Sequence, residues 1–332
     1  MRAEAVVFIG KNKATFQEVE VPEPGPRDVV VQTKYSWIST GTERSYLRGE
    51  RVDGETPVRE GTQPPFPIVP GYQKTGIVQW VGDCVNDIKP GEWVFAATSK
   101  INLGPAKMGG HVSLAVTPME SIWKIPKGDD PIAISGLVLV QVGYNCATRP
   151  PVQRGDMAAV IGDGLVGQWA AQVLVHRGAK VILVGRHDSR LQRFKVADAI
   201  AINEGKEDPV SKIRDVIGSR GIAVLVDTVG SVQTMESLHP LMRHNGHMVS
   251  AGFCGTRGLI DIQMLRKGEL TLHCPSGWER ERMDRTLELI TGGVIDTMSL
   301  ITHHFPAREA ERAWDLILNR REEFLGVILE WK

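Results

Sequence analysis

Met157-Ala-Ala-Val-Ile-Gly-Asp-Gly-Leu-Val-Gly167 is the segment of this chain that is most informative about its fold. A short apolar run leads into a Gly-x-Gly-x-x-Gly turn, and a mostly apolar segment, 168–178, follows it. A buried strand, a glycine turn and a helix in this order predict the phosphate-binding start of a dinucleotide fold, where amides at the helix N-terminus face a pyrophosphate. The residues expected to bind the cofactor at this turn are Gly162, Asp163, Gly164, Leu165, Val166 and Gly167.

The residues after the next predicted strand indicate the type of cofactor. The strand Ala179-Lys-Val-Ile-Leu-Val184 is followed by Gly185, Arg186 and His187. Dinucleotide folds that select NAD usually place Asp or Glu here, where its carboxylate binds the ribose 2′-hydroxyl. Loss of the anion and gain of a cation favour a 2′-phosphate. We therefore predict NADP(H) as the preferred cofactor, with NAD(H) as the alternative if Arg186 is only a solvated loop residue.

Composition and charge indicate an ordinary globular chain. Its 332 residues carry 39 basic and 39 acidic side chains and are 42% hydrophobic, which suits about two domains. Balanced charge without long runs argues against a nucleic-acid or membrane partner, and no segment reads as a signal peptide or a membrane span. A cytoplasmic location is the expectation that follows.

The four cysteines do not form a recognisable motif. They are far apart and include no Cys-x-x-Cys pair: Cys84, Cys146, Cys254 and Cys274. This spacing indicates neither a disulfide framework nor a cysteine zinc site. We expect reduced thiols in the core.

The pattern of predicted elements changes near residue 131. Short strands separated by Pro and Gly turns fill residues 1 to about 130, which suits a small barrel-like domain. Six short strands with intervening helices follow and predict a doubly wound parallel sheet, so the fold class is α/β. The tail, 279–332, has two helical stretches and a closing strand, and we expect it to return to the first domain.

Several segments resemble the medium-chain dehydrogenase/reductase superfamily along the whole chain. They are 21–31, Pro67-Ile-Val-Pro-Gly71, Ile88-Lys-Pro-Gly-Glu-Trp-Val94 and Arg154-Gly-Asp-Met157 before the glycine turn. The resemblance implies a GroES-like catalytic domain, 1–132 with 279–332, interrupted by a Rossmann domain, 133–278. It also implies an active site in the cleft between the domains, a small-molecule substrate and a homodimer.

The departures from that family concern zinc. Zinc-dependent members place Cys, His and a Cys or Glu where this chain has Thr40, Tyr72 and Val138. These side chains are not the thiolate, imidazole or carboxylate donors that tetrahedral zinc needs. The resemblance therefore implies a zinc-free enzyme. We interpret His111, a lone histidine in a predicted strand, as structural rather than as a ligand.

One branch of the superfamily is more similar than the others. Trp37-Ile-Ser-Thr-Gly-Thr-Glu43, Pro70-Gly-Tyr-Gln73 and 300–306 resemble the bacteriochlorophyllide a dehydrogenases, which oxidise the hydroxyethyl side chain of a chlorin to acetyl with a nicotinamide cofactor. This implies interconversion of a secondary alcohol and a ketone on a fairly large substrate. The segment 48–67 looks longer and more charged than expected of a lid that binds a pigment. Its part 48–63 is either a mobile lid over the cleft or an ordinary surface insertion.

Without zinc, a side chain is expected to move the proton that accompanies the hydride. The motif alignment offers Thr40, Thr42 and Tyr72, and Tyr72 is the first choice because a phenol is a stronger acid than an aliphatic hydroxyl. Gln73 or Glu43 would orient the donor. The alternative is that Tyr72 only packs against cofactor and substrate, with proximity supplying the catalysis.

Two later strands end on the side where an open α/β sheet binds its ligand. Their loops should border the cofactor through Val229, Ala251 and Gly252, while Asp227 is interpreted as a local hydrogen-bonding residue. Trp37 and Trp278 either line an aromatic substrate pocket or belong to the core.

Two other functions remain open from the sequence. Zinc-free members of the superfamily include quinone and enoyl reductases, which deliver hydride to an activated double bond. The second alternative is a cofactor-binding protein that has lost catalysis. Turnover of the cofactor with a carbonyl substrate distinguishes an enzyme from such a binding protein, which binds the cofactor without oxidising it.

Overall fold

The computed structural model describes residues 1–50, 66–104, 108–253, 259–320 and 322–332. The chain divides into two compact units, 1–138 with 297–332 (unit 1) and 139–296 (unit 2). The domain boundaries expected from the sequence, at 132/133 and 278/279, differ from these limits and stay predictions. Most of the segment 48–63 lies outside the described residues.

Fifteen strands and ten helices are found in the described part of the chain. In chain order, the strands are β1 (Arg2–Gly10), β2 (Lys13–Glu20), β3 (Asp28–Trp37), β4 (Lys74–Val81), β5 (Trp93–Ala96), β6 (Leu114–Pro118), β7 (Ile122–Lys124), β8 (Met157–Ile161), β9 (Lys180–Gly185), β10 (Ile200–Asn203), β11 (Ile222–Asp227), β12 (Met242–Ser250), β13 (Thr271–His273), β14 (Ile301–Pro306) and β15 (Gly326–Glu330). The helices are α1 (Thr42–Leu47), α2 (Pro131–Ile134), α3 (Leu137–Thr148), α4 (Leu165–His176), α5 (Asp188–Leu191), α6 (Pro209–Ile217), α7 (Val232–Leu238), α8 (Ile262–Lys267), α9 (Arg280–Thr291) and α10 (Ala310–Asn319).

Unit 1 is built on a mixed sheet in the order β14-β15-β3-β4-β5-β7, with β6 also bonded to β3. β14 and β15 are parallel, and the other pairs are antiparallel. α10 buries a stripe of residues with helical spacing, including Ala310, Ala313, Trp314 and Ile317, as an amphipathic helix does. The ring of Trp314 meets Phe8 of β1 edge to face, with 4.9 Å between centroids. This apolar packing forms one of the cores of unit 1.

Unit 2 is a parallel sheet in the order β10-β9-β8-β11-β12-β13. All five residues of β8 are buried, as expected for a central strand that is covered on both faces. The sequence order reverses at β8, which lies between β9 and β11. The loops after β8, β9, β11 and β12 therefore lie along the carboxyl edge, where open α/β sheets bind ligands.

The predicted fold class is confirmed, with a mixed sheet in unit 1 and a Rossmann-like parallel sheet in unit 2. The expectation that the thiols lie in the core is wrong for Cys84 and Cys274, which are exposed. Both follow a strand in a connecting segment rather than facing a core. Cys146 in α3 is buried as expected, and Cys254 lies outside the described residues. Within the described part of the chain, no helix is long and apolar enough to cross a membrane.

Candidate active site

The glycine turn after β8 is closely packed on two sides. Gly162 has φ +114°, and a Cβ built on it would lie 2.3 Å from Thr228 Oγ1. A Cβ on Gly167 would lie 1.9 Å from the carbonyl oxygen of Gly162. Because backbone atoms cause the second clash, a larger residue at 167 would separate the first turn of α4 from the strand. These contacts explain two of the three glycines of the motif.

The third glycine leaves room for a ligand. Gly164 precedes the first turn of α4, and a Cβ built there would meet no described atom within 4 Å. No side chain caps the helix at this residue. The amides of Leu165 and Val166 therefore begin a twelve-residue helix with the donors and the positive dipole end that bind phosphate. The turn fits a dinucleotide pyrophosphate by shape and by chemistry.

Asp163, in the middle of the turn, is bound to the segment after β9. Its carboxylate accepts hydrogen bonds from the amides of Arg186 at 2.8 Å and His187 at 2.7 Å. His187 Nδ1 lies 3.0 Å from Oδ2, and an Arg190 nitrogen lies 3.5 Å from Oδ1. Asp163 is only 5% exposed, so these internal donors occupy its carboxylate. The sequence grouped this residue with the cofactor contacts and gave no sign of its link to β9.

The side chain of Arg186 is the most exposed cation of this segment. It is 73% exposed, and its Nε lies 2.5 Å from a carboxylate oxygen of Glu204. An exposed ion pair of this kind contributes little to stability and is readily exchanged for another anion. Arg186 is therefore available to a phosphate at the end of β9.

The loops after β11 and β12 are held together by Asp227. Its carboxylate accepts from the amides of Val229, Gly230 and Ser231, and its carbonyl oxygen accepts from the amides of Ala251 and Gly252. Burial raises the pKa of the Asp227 carboxyl, while the three amide donors act in the opposite direction. The interpretation of Asp227 as a local hydrogen-bonding residue agrees with these contacts.

The predicted cofactor residues thus come from four loops on one edge of the unit 2 sheet. Direct contacts join the loops in pairs: Gly162 with Thr228, and Asp163 with Gly185. Val229 is 55% exposed beside them. The arrangement supports the cofactor site expected from the sequence, whose individual residues stay predictions.

In unit 1, a buried chain of polar side chains begins at Glu43. Its Oε1 accepts from the amide of Ser39 at 2.8 Å, and its Oε2 lies 2.8 Å from His111 Nε2. His111 Nδ1 lies 2.8 Å from Ser36 Oγ, which accepts from Trp331 Nε1 at 2.9 Å. Glu43 and His111 are fully buried. Both ring nitrogens of His111 are occupied, as expected of a structural histidine.

The turn that carries Tyr72 lies on this buried pair. Gly71 has φ +82°, and a Cβ built on it would lie 2.8 Å from the His111 ring. The amide of Gly110 donates to the carbonyl of Gly71, which ties the turn to the segment before β6. Tyr72 itself is half-buried. The contacts of Gly71 with His111 and Gly110 therefore help to place the backbone of Tyr72.

The other predicted catalytic residues fall into two groups. Thr40 and Thr42, like Tyr72, are partly exposed, and α1 begins at Thr42. Gln73 is fully buried, and its Nε2 donates to the carbonyl of Trp37 at 3.1 Å. The contacts seen for Glu43 are internal as well. The three hydroxyl residues are therefore partly accessible to solvent, whereas Glu43 and Gln73 are buried and bonded to the backbone around them.

Trp37, one of two tryptophans considered for the substrate pocket, belongs to the core. It is fully buried, and its ring lies against Gly136 and Gly326, where an added Cβ would come within 2.8 and 2.7 Å. Trp278 is 40% exposed, and its assignment to a substrate pocket or to the core stays a prediction.

No three His, Cys, Asp or Glu side chains in the described residues lie close enough together to hold a metal ion. Thr40, Tyr72 and Val138 stand at the three positions discussed above. The imidazole of His111 lies against Gly71, next to Tyr72, and both its nitrogens are hydrogen-bonded. The donor chemistry at these positions does not fit a tetrahedral zinc site.

Lys74, which the sequence analysis missed, is a fully buried cation. Its Nζ donates to the carbonyls of Ala97 at 2.6 Å and Gly109 at 3.0 Å. Desolvation by burial lowers the pKa of this amine to about 7. The sequence did not indicate that Lys74 is buried, because a lysine at the start of a strand, here β4, is normally solvated.

Lys74→Met is expected to reduce the increase of stability with pH. Between about pH 7 and 10.5 the unfolded chain holds a proton that the folded chain lacks, so the free energy of unfolding rises with pH. The increase should be up to about 1.4 kcal/mol per pH unit greater in the wild type than in the variant. Below that range both states are protonated and the difference levels off. Denaturant unfolding at a series of pH values from 7 upward measures the free energy of unfolding of each protein. Lys11→Met, at an exposed lysine, is the control. If the free energy changes with pH equally in the wild type and in Lys74→Met, the lowered pKa of Lys74 is contradicted.

Gln141 in α3 is a second residue that the sequence analysis missed. It is fully buried, and in the described part of the chain neither its amide oxygen nor its nitrogen has a hydrogen-bond partner. It lies three residues after Val138, on the same face of the helix. A single polar residue inside the apolar run Leu137-Val-Leu-Val-Gln-Val142 was the signal that the sequence offered.

Comparison with known proteins agrees with this geometry. The family described as zinc-binding dehydrogenase matches residues 166–292, which lie within unit 2. That match includes none of Thr40, Tyr72 and Val138. It supports the dinucleotide fold and does not bear on metal binding.

Several relatives match nearly the whole chain, among them the following two. A 2-desacetyl-2-hydroxyethyl bacteriochlorophyllide A dehydrogenase from Cereibacter sphaeroides is 26% identical over 344 residues, covering 100% of this chain and 99% of the relative. An alcohol dehydrogenase from Cupriavidus necator is 22% identical, covering 98% of each chain.

Solved structures show the same fold. An alcohol dehydrogenase from Thermus sp. ATN1 has a TM-score of 0.83 at 24% identity, covering 99% of this chain and 100% of that chain. A chain from Sinorhizobium meliloti bound to NADP has a TM-score of 0.84, and one from Escherichia coli in complex with NADH has 0.85; each is 22% identical and covers 99% of both chains. Residues 166–292 match the zinc-binding dehydrogenase family, and over nearly its whole length the chain is similar to dehydrogenases, which supports an oxidoreductase.

Proposed function

We propose that this chain is a zinc-independent, NADP(H)-dependent oxidoreductase that interconverts a secondary alcohol and a ketone on a fairly large small-molecule substrate. The observation that carries the proposal is an intact dinucleotide turn in unit 2 combined with hydroxyl residues, Thr40 and Tyr72, at two positions where zinc-dependent relatives have metal ligands. The first supports hydride chemistry, and the second supports proton transfer without a metal.

The glycine turn would hold the cofactor by its pyrophosphate. The open side of Gly164 admits the phosphates, and the first amides of α4 donate to them. The loops fixed by Asp227 at the carboxyl ends of β11 and β12 would border the rest of the dinucleotide. NADP(H) bound there supplies or accepts the hydride.

The end of β9 supports NADP(H) over NAD(H). Asp163 is the acidic residue of this turn, and its carboxylate is already bound to the amides of Arg186 and His187. A ribose 2′-hydroxyl would not find a free acceptor in it. Arg186 forms a surface ion pair with Glu204, and a 2′-phosphate would replace Glu204 as the partner of its guanidinium group.

We expect NADPH to bind at least about tenfold more tightly than NADH, because a charge-assisted hydrogen bond contributes about 1.5–3 kcal/mol. Arg186→Ala should weaken NADPH binding by about that factor and leave NADH binding nearly unchanged. Glu204→Gln, which removes the competing carboxylate, should tighten NADPH binding. Nicotinamide fluorescence titrations measure these dissociation constants, and tighter binding of NADH by the wild type would reject the proposal.

Tyr72 is the proposed proton donor to the carbonyl oxygen during reduction. Its phenol is the most acidic of the three partly exposed hydroxyls, since an unperturbed tyrosine has a pKa near 10. Tyr72 is left as a phenolate after it donates its proton, and in the oxidation direction this phenolate oxygen accepts the proton of the alcohol. Thr42 and Thr40 are the alternative hydroxyls of this segment.

The relatives' names support the substrate class. The relative from Cereibacter sphaeroides is named as a dehydrogenase of a 2-hydroxyethyl bacteriochlorophyllide, a large molecule that carries an alcohol. A panel of a hydroxyethyl macrocycle, polyols, keto sugars and a small quinone, offered with NADP(H) and NAD(H), tests the reaction type. Turnover of an alcohol or ketone supports the proposal. Turnover confined to the quinone would assign the chain to quinone or enoyl reduction, and cofactor binding without turnover would make it a binding protein.

We also propose a homodimer in the cytoplasm, by analogy with the superfamily. Light scattering of the purified protein tests the first proposal, and cell fractionation tests the second. A monomeric mass at micromolar concentration would contradict the homodimer.

A further inference from the structure

The side chain of Asp163 fills the space that a side chain at position 185 would need. A Cβ built on Gly185 would lie 2.4 Å from Asp163 Cβ and 2.5 Å from its Oδ2. The backbone at Gly185 is held on its other side, because the amide of Glu204 donates to the Gly185 carbonyl at 2.9 Å. The strand register there pairs Gly185 with Asn203. A shift of this backbone would therefore break its bonds to β10.

The close contact begins at the Cβ of Asp163, not only at its carboxylate. Alanine at 163 would still place a carbon within 2.4 Å of a side chain at 185. Only glycine at 163 would free the space. Positions 163 and 185 therefore cannot both carry a side chain: when one does, the other must be glycine. We call two such positions an exclusive pair.

We propose that Asp163 and Gly185 form an exclusive pair that sets cofactor specificity at the ribose 2′ position. The inference rests on the proposed NADP(H) function. An acidic residue at the end of the second strand is the feature that binds a ribose 2′-hydroxyl in NAD-selecting folds. Asp163 prevents such a residue at 185, and its own carboxylate is turned inward to the amides of Arg186 and His187.

The same contacts give Asp163 a second, positive effect on phosphate binding. By accepting from the amides of two successive residues and from the His187 ring, it fixes the backbone from which Arg186 projects. The nearby Arg190 nitrogen at 3.5 Å compensates the buried carboxylate. Arg186, paired with Glu204, is then the outermost cation of the segment, and the exposed Asp188 carboxylate beside it is paired with Lys206. Asp163 is therefore a positioning residue for the 2′-phosphate and does not itself contact it.

One single variant and three double variants test the pair. The single variant is Gly185→Asp, and two of the double variants combine it with Asp163→Gly or with Asp163→Ala. The third double variant combines Asp163→Gly with Gly185→Asn. Thermal unfolding of each reports the steric part. We expect Gly185→Asp, alone or with Asp163→Ala, to melt well below the wild type. The two double variants that include Asp163→Gly should melt above Gly185→Asp alone, although they carry one more substitution.

Binding of NADPH and NADH reports the specificity part. Asp163→Gly with Gly185→Asp should shift the ratio of the two dissociation constants at least about tenfold toward NADH. The counterpart with Gly185→Asn lacks the charge and should shift the ratio much less. Equal shifts for these two double variants would overturn the assignment of specificity, because the change would then follow from the loop alone. Equal melting temperatures for Gly185→Asp and the wild type would overturn the exclusive pair.

This design separates the inference from the proposed function. If the wild type binds NADH more tightly than NADPH, or binds neither, the proposed function fails. The melting temperatures of the four variants still decide whether positions 163 and 185 exclude each other. If the wild type prefers NADPH and the double variant Asp163→Gly with Gly185→Asp keeps that preference unchanged, the proposed function stands and the inference fails.

Discussion

Glu43→Ala is expected to lower the free energy of unfolding by about 2–6 kcal/mol, because it leaves two buried hydrogen-bond donors without an acceptor, at about 1–3 kcal/mol each. In the variant the ring of His111 and the amide of Ser39 lose their acceptor inside a core that water does not reach. Each buried donor left without a partner is costly to desolvate. Denaturant unfolding of the wild type and the variant at one pH measures the difference.

The same measurement on Glu18→Ala provides the control. Glu18 pairs with Arg2 at 3.0 Å in the same unit, but the two side chains are 59% and 77% exposed. Exposed pairs of this kind contribute about 0–1 kcal/mol. Glu43→Gln should fall between the two, because its amide oxygen still accepts from Ser39. A loss for Glu43→Ala no larger than that for Glu18→Ala would show that the buried chain to Trp331 does not support the turn of Tyr72.

Tyr72→Phe is expected to reduce turnover by about 10²- to 10⁴-fold, the range usually contributed by a positioned acid or base. The ring is retained, so its packing at the edge of the apolar cluster and the melting temperature should change little. KM for the ketone should also change less than kcat, since the hydroxyl acts on the charge that develops during reduction. Steady-state kinetics with a saturating cofactor separate these effects.

Tyr35→Phe is the matched control for the loss of a phenolic hydroxyl. Tyr35 stacks on Trp93 in unit 1, with 6.3 Å between ring centroids, and its substitution should leave turnover near the wild-type value. Unchanged turnover in Tyr72→Phe would remove the acid–base role. Tyr72 would then be a packing residue, with catalysis left to proximity and electrostatics. Thr42→Val and Thr40→Val would be the next variants in that case.

The sequence predicted the parts of this molecule that depend on local pattern. The strand, turn and helix at 157–176 follow from apolar runs and glycine spacing, and the structure has β8 and α4 there. The six parallel strands follow in the same way. The interpretation of Asp227 as a local hydrogen-bonding residue also agreed with the structure, because an Asp at a strand end normally accepts from the amides that follow it.

The contacts that the sequence did not predict join residues far apart in the chain. Asp163 meets His187, 24 residues later, and Glu43 meets His111, 68 residues later. No periodicity links such positions, so their partners were not predictable from spacing. Lys74 and Gln141 were missed for a related reason: a polar residue is normally assumed to be solvated, and only the packing shows that these two are buried. The buried polar groups of this chain therefore had to come from the structure.

Turnover of a ketone by metal-stripped enzyme with NADPH distinguishes a zinc-independent enzyme from a zinc-dependent one. The protein is purified without a tag, treated with a chelator and assayed for zinc, and NADPH oxidation is followed by absorbance with a ketone that the panel identifies. We expect less than stoichiometric zinc, turnover equal to that of the untreated enzyme and no increase when zinc is added. Stoichiometric zinc in the untreated enzyme, with turnover lost on chelation and restored by zinc, would contradict a zinc-independent mechanism.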